Sequence, residues 1–251
     1  MGNRSALKSC LTQNVRGNTL QRYVDYAVNL GGVTACWPLQ EASGGRRDFA
    51  GDSPLTDNNT VTGGNGPGGL EDASDFEAST SESLSAADVA RHTFLGDMTV
   101  ICLANPEAIP AAAMNLLGKD DAANAREYGL YYENTVDRYR FVQGNANWAT
   151  LDIADADAHG APVAGAWVQI EGDVNTVLAT VGIRVNNGTR NAVTKTTTMV
   201  NGTEGFAIGS RRGATPALFW DGLIAGALLV RRILQRCEAQ RLYELGMGRT
   251  P

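Results

Sequence analysis

Leu223–Val230 reads LIAGALLV and is apolar on both of the alternating faces that a strand presents. A strand tolerates that pattern where protein covers each face, so the sequence predicts a central strand here. Met98–Ala104 is a second strongly apolar strand. Tyr128–Tyr132 and Tyr139–Val142 alternate apolar and polar residues around a turn at 134–138, the pattern of a hairpin. Trp167–Ile170 and Val181–Val185 are two more strands, and Asn186-Asn187-Gly188 is a hairpin turn signal. Two stretches carry helical spacing instead. Leu20, Tyr23, Val24, Ala27 and Val28 share one helical face, with Asn18 and Gln21 as a cap and Gly31 as a stop, which predicts a helix over about 19–30. A second helix begins near Gln235 and Arg236, with Glu238 able to reach back to the first free amides and Gly246 ending it in the left-handed conformation.

Between these elements the pattern is looser. Leu7, Cys10, Leu11 and Val15 fall at roughly helical spacing, so residues 1–18 are expected to be either a docking arm or a frayed terminus, ahead of one domain over 19–251. Gly63–Gly69 holds five glycines but neither the Lys-Ser or Lys-Thr nor the helix that a phosphate loop needs, and it reads as a flexible loop. Residues 106–124 are a Pro- and Ala-rich excursion carrying Lys119-Asp120-Asp121.

Composition sharpens the fold class. A chain of 251 residues with 43% hydrophobic residues, 29 glycines and 19% charged residues suits one large all-β domain of many short strands and tight turns. The net charge of −6 argues against binding nucleic acid through phosphates. Arg231, Arg232, Arg236, Arg241 and Arg249 near the C-terminal end read as a solvated helix face. The four cysteines are too scattered for a metal or redox motif, and Cys36 and Cys102 sit in apolar runs as buried thiols. No apolar signal region follows Met1, and no apolar run is long enough to span a bilayer as a helix, so a soluble chain without membrane insertion is expected.

Near the C-terminal end, Phe206, Ile208-Gly209, Phe219, Gly222, Ile224, Leu234, Glu238, Leu242-Tyr243 and Gly246 fall in an order that resembles the close of the laminin-G-like, concanavalin-A-like jelly-roll superfamily. Tyr23, Trp37-Pro38-Leu39, Glu41-Ala42-Ser43-Gly44 and Asp48 to Gly51 resemble its opening, so the likeness spans about residues 20–246. It implies an all-β, two-sheet antiparallel jelly-roll sandwich with short helices near each end. It also implies a Ca²⁺ held by loop oxygens at one edge, for which Asp48, Asp52, Asp57, Asn58 and Asp221 are candidates and Asp48 and Asp221 the best.

The fold also hosts glycoside hydrolases, which need paired carboxylates. The nearest stretch, Glu171-Gly172-Asp173-Val174-Asn175, has Asn in the third acidic place, and Glu171 reads as a polar residue at a strand end. His92 and His159 stand outside any catalytic spacing and read as loop residues. The expectation is therefore a chain that is not an enzyme. Sugar binding instead asks for exposed aromatics, and Tyr131, Tyr132, Tyr139 and Trp148 are the candidates, with alternation burying about half of them. A lectin-like sandwich with a short arm and no signal peptide suits display on a virus particle, as a bacteriophage capsid decoration or tail-associated protein. The arm would dock on other virion proteins or on a second copy, and the sandwich would contact surface glycans. The rival readings are a stand-alone carbohydrate-binding module or adhesin, and a degenerate glycoside hydrolase.

Overall fold

The computed structural model describes residues 19–121, 125–145, 150–213 and 215–249. Helix α1 (Thr19–Val28) leads into β1 (Val33–Trp37). After a long loop come β2 (Thr56–Asn58), β3 (Thr62–Asn65), β4 (Asp72–Phe76) and β5 (Ser83–Ala86). Longer strands follow in β6 (Met98–Pro106), β7 (Met114–Asp121), β8 (Ala125–Glu133) and β9 (Arg138–Gly144). Then come β10 (Leu151–Asp155), β11 (Val168–Asn175), β12 (Thr180–Val185), β13 (Asn191–Thr194), β14 (Phe206–Ile208) and β15 (Gly222–Val230), and last the helix α2 (Arg236–Gly246).

The strands form two antiparallel sheets, in the order β13-β12-β11-β6-β15-β4-β3 with β1 also paired to β15, and β10-β9-β8-β7-β14-β5-β2. This is the all-β two-sheet sandwich with two short helices that the sequence predicts. The inner faces interlock through Trp37, Phe76, Cys102, Tyr128, Phe141, Ile170, Phe206 and Trp220. Cys36 and Cys102 are buried and free, as the apolar runs around them imply. The helices cover the outer face of the first sheet, where Tyr23, Ala27, Leu242 and Leu245 pack on Ile101, Leu103, Ala225 and Leu228.

β15 belongs to both cores. Ile224, Ala227 and Leu229 face the other sheet, while Ala225, Leu228 and Val230 face the helices. β6 runs along one side of it; β4 pairs with residues 222–224 on the other side and β1 with residues 227–230. Between those two partners the strand kinks at Gly226, whose φ is +58°. Its N–H reaches the Pro38 carbonyl at 3.2 Å, and its carbonyl accepts from the Tyr23 hydroxyl at 2.9 Å. A glycine is needed here because the backbone is left-handed and three neighbours close on its open side.

Four expectations change. Gly63–Gly69 is no flexible loop: its first residues lie in β3, and a Cβ on Gly69 would overlap the Leu245 carbonyl, so this glycine lets the chain pass under the end of α2. Residues 114–121 of the supposed excursion form β7. There Lys119 is fully buried, with its ammonium bound to Glu127, to Thr93 Oγ1 at 2.8 Å and to Asp88 at 2.8 Å. His92 does lie in the connection between β5 and β6, but its side chain belongs to the core: it is fully buried, 5.5 Å from the Trp37 ring and 5.3 Å from that of Phe206. Burial, then Arg91, pushes its pKa down to about 4, so it sits neutral in the core. The capping box of α2 is present as expected, with Gln235 and Glu238 exchanging backbone bonds. However, Gly246 lies inside the helix, Met247 caps it at φ −83°, and the left-handed residue is Gly248.

Gly226→Ala is expected to destabilise the fold by about 1–3 kcal/mol, because the new methyl would stand 2.8–2.9 Å from Leu103, Leu70 and the Tyr23 hydroxyl. Gly44→Ala, at an equally left-handed position with open space around it, is expected to cost about 1 kcal/mol or less. Urea unfolding of the two variants checks the difference.

Candidate functional site

Antiparallel pairing brings one set of loops to a common rim. The ends of β4, β6, β8, β10, β12 and β14 all point the same way, so loops 77–82, 107–113, 134–137, 156–167, 186–190 and 209–221 leave the sandwich together. Two features occupy that rim.

The first is a cavity of about 220 Å³ lined by Ala156, Ala158, His159, Val185, Asn186, Gly188, Thr189 and Asn191. Asn186 and Asn187 have φ of +52° and +55°, and Gly188 N–H closes on the Val185 carbonyl at 2.9 Å, which is the hairpin turn the sequence signals. That turn sets Asn186 so that its Oδ1 accepts from the Gln169 N–H at 3.0 Å. Asn191, at the start of β13, likewise accepts from the Ala158 N–H at 3.0 Å. Because a backbone donor fixes each carboxamide oxygen, each amide presents its NH₂ edge in a set direction. His159 stands 6.3 Å from the Tyr139 ring behind it. Burial, then Arg138, lowers the His159 pKa, so the imidazole is neutral near pH 7 and offers one donor and one acceptor. Ala156 and Val185 give the pocket an apolar floor. The arrangement can hold the hydroxyls of a small polyol against an apolar face.

The second feature is acidic. Carboxylate oxygens of Asp75, Glu77 and Glu107 lie within 4.8 Å of one another. Asp221 stands beside them, its Oδ1 accepting from the Ala78 N–H at 3.1 Å. Burial and then Asp221 raise the pKa of Asp75, whose buried Oδ1 makes no hydrogen bond. Burial, then Glu107 and Asp221, raises Glu77. Oxygens at this spacing fit one hard cation such as Ca²⁺, which takes oxygen ligands at about 2.3–2.6 Å.

The sequence candidates are distributed unevenly around these features. Asp221 adjoins the acidic group; Asp48 does not. Its Oδ1 accepts from the N–H groups of Cys36 and Ala50, and its Oδ2 faces Arg91 at 3.5 Å, so it ties a loop down and its charge is already met by a guanidinium. The tyrosines are not an exposed platform. Tyr132 and Tyr139 point into the core between the sheets, and Tyr131, on the opposite face of β8, is folded over Gly129 and also buried. Tyr139 meets the rim indirectly, as the ring behind His159. Trp148 lies outside the described residues. Asp75, Glu77 and Glu107 were missed because they come from two strand ends far apart in the chain.

Glu171 is no strand-end residue. It lies in mid-β11, 3% exposed, and accepts from Arg184 at 3.1 Å with both oxygens. Burial is the main cause that raises its pKa to about 7, against the pull of Arg184. Asp173 pairs with Arg190 at 2.7 Å. Both carboxylates lie on the outer face of the first sheet.

No protein-family model and no curated protein sequence matches the chain. Solved structures do share its fold. Domain 4 of AbnA, a GH43 extracellular arabinanase from Geobacillus stearothermophilus solved in complex with arabinotriose, aligns at a TM-score of 0.60 and 14% identity, over 84% of this chain and 98% of that domain. Trypanosoma rangeli sialidase aligns at 0.63 and 13%, over 98% of this chain and 40% of the sialidase. The binding domain of Paraclostridial Mosquitocidal Protein 1 aligns at 0.66 and 9%, over 88% and 52%. The chain thus spans less than half of the sialidase. These likenesses establish a sandwich fold that carbohydrate-active proteins also use. They overturn the expectation that the chain is not an enzyme: the matching structures include a sialidase and a domain of an arabinanase, so this sandwich fold is no ground for excluding catalysis.

Asp75→Asn is expected to stabilise the protein near pH 7, by on the order of 0.5 kcal/mol after solvent screening, because it removes one of several crowded negative charges. The sign follows from a raised carboxyl pKa: the folded state is penalised once the pH exceeds the unfolded value. The gain should therefore shrink as the pH falls toward 4, which thermal melts at the two pH values check.

Proposed function

We propose that this chain is a carbohydrate-binding β-sandwich that receives a sugar ring in the rim pocket beside His159. The observation that carries the reading is the pair of carboxamides, Asn186 and Asn191, whose oxygens are fixed by backbone N–H groups while their NH₂ edges are free to meet hydroxyls. Sugars present vicinal hydroxyls around an apolar ring face, and a pocket of pre-set polar groups over Ala156 and Val185 suits that chemistry. At about 220 Å³ it lies below the range of about 300–1,000 Å³ usual for larger ligands, as expected for a single ring. The likeness to an arabinanase domain solved with arabinotriose supports a sugar as the ligand class. Asp75, Glu77 and Glu107, with Asp221 beside them, would hold a Ca²⁺ that stiffens the same rim. Attachment to a virus particle through residues 1–18 rests on a segment outside the described residues, which begin at Thr19.

Calorimetric titration with arabinotriose and a panel of neutral hexose oligomers tests the reading. Binding is expected for at least one member, with His159→Ala and Asn191→Ala each lowering the affinity about tenfold, equivalent to about 1.4 kcal/mol. Affinity should hold from about pH 8 to about pH 6.5 and fall at lower pH, as protonation removes the acceptor of an imidazole whose pKa is lowered. A panel without binding, or variants that bind as the parent does, would contradict it. Separately, millimolar Ca²⁺ is expected to raise the melting temperature of the parent protein and not that of Asp75→Asn.

A further inference from the structure

A bowl of about 510 Å³ lies on the flank of the sandwich, away from the rim, lined by Gly45, Arg46, Arg47, Asp48, Phe49, Gly51, Asp52 and Pro54. The loop that makes it is held firmly. Arg46 and Leu55 exchange backbone hydrogen bonds at 2.9 and 2.8 Å, and Phe49 N–H reaches the Cys36 carbonyl at 2.8 Å. The Arg46 side chain is fully buried beneath the loop, donating to Ser74 Oγ at 2.9 Å and to the Val61 carbonyl at 3.0 Å. Its charge is thus held by carbonyl and hydroxyl partners, with the Glu41 and Asp57 carboxylates close enough to act on it.

One further guanidinium, that of Arg47, lines the bowl, and a second, that of Arg91, lies at its edge. Arg47 lies over the Phe49 ring, 4.7 Å from its centroid, and makes no ion pair among the described residues. Such stacking fixes the plane of a guanidinium while leaving its N–H edge open, which is the edge that grips a carboxylate with two parallel bonds. Arg91 reaches in from a neighbouring loop, and its guanidinium lies directly on Gly51, where a Cβ would overlap it. Against these stand Asp48, which faces Arg91 at 3.5 Å with its side chain fully buried, and Asp52 on the rim of the bowl. Phe49 is 41% exposed although it is a large apolar ring, so part of it stays open to solvent beside the cationic edge.

We propose that this bowl is a binding site for a sugar that carries a carboxylate, such as a uronic acid: Arg47 takes the carboxylate, Arg91 supports it, and Phe49 receives the ring. The juxtaposition of an open guanidinium edge with an exposed aromatic ring favours a ring-borne carboxylate over a free inorganic anion, and the volume lies within the range usual for small-molecule sites. The site shares no residue with the pocket beside His159 and stands or falls independently of it.

The test is titration of the full chain with glucuronate and with glucose, followed by NMR, in about 20 mM and about 300 mM NaCl. Glucuronate is expected to bind at least tenfold more tightly than glucose and to weaken severalfold at the higher salt. R47Q should lower glucuronate affinity at least tenfold, and G51A should do the same by displacing the Arg91 guanidinium. Because Arg47 is exposed, R47Q keeps the fold, which its melting temperature verifies. Glucuronate binding no better than glucose, or unchanged in R47Q, overturns the proposal. Loss of glucuronate binding in H159A with R47Q unaffected would move the ligand to the rim pocket and overturn it equally.

Discussion

Burial of β15 on both faces is the constraint from which the rest of the architecture follows. A strand whose alternate residues are all apolar must be covered twice, here by the second sheet on one side and by α1 and α2 on the other. The kink at Gly226 lets one strand serve two partners in turn, β4 and then β1, and the Tyr23 hydroxyl on its carbonyl ties α1 to the same point. The glycines near Gly69 belong to this arrangement too, since they let the backbone slide beneath the end of α2.

Because the two cores fix the strands, the loops at their ends inherit fixed positions. That is why the rim can hold pre-set polar groups: Asn186 is placed by a two-residue turn and a backbone N–H, Asn191 by another backbone N–H, and His159 by the Tyr139 ring behind it. The same rigidity costs something at the acidic group, where Asp75 and Glu77 are held with raised pKa values by burial and by neighbouring carboxylates. A cation bound there would relieve that crowding.

The sequence made the sandwich legible because the relevant signals are local: period-two alternation in β8 and β9, the Asn-Asn-Gly turn, the capping box of α2 and the unbroken apolar run of β15. It hid β7, because Lys119-Asp120-Asp121 looks solvent-facing until Glu127 on the neighbouring strand β8 and Asp88 from a loop further off meet the lysine. It misled on the tyrosines for the same reason. Alternation says that Tyr131 and Tyr132 face opposite ways, but not that the outward ring will fold down on Gly129. Asp221 is a candidate only as a loop oxygen that the family resemblance asks for, whereas Asp75, Glu77 and Glu107 join it by topology alone. His159 read as a solitary loop residue until two hairpin ends were brought beside it.

The central claim is that the rim pocket, and not the tyrosine face, receives a sugar. Amide chemical-shift mapping during titration with arabinotriose tests it most directly. The account predicts shifts concentrated in residues 156–160 and 186–191, with β8 and β9 quiet. Shifts confined to β8 and β9, or none at saturating sugar, would contradict it.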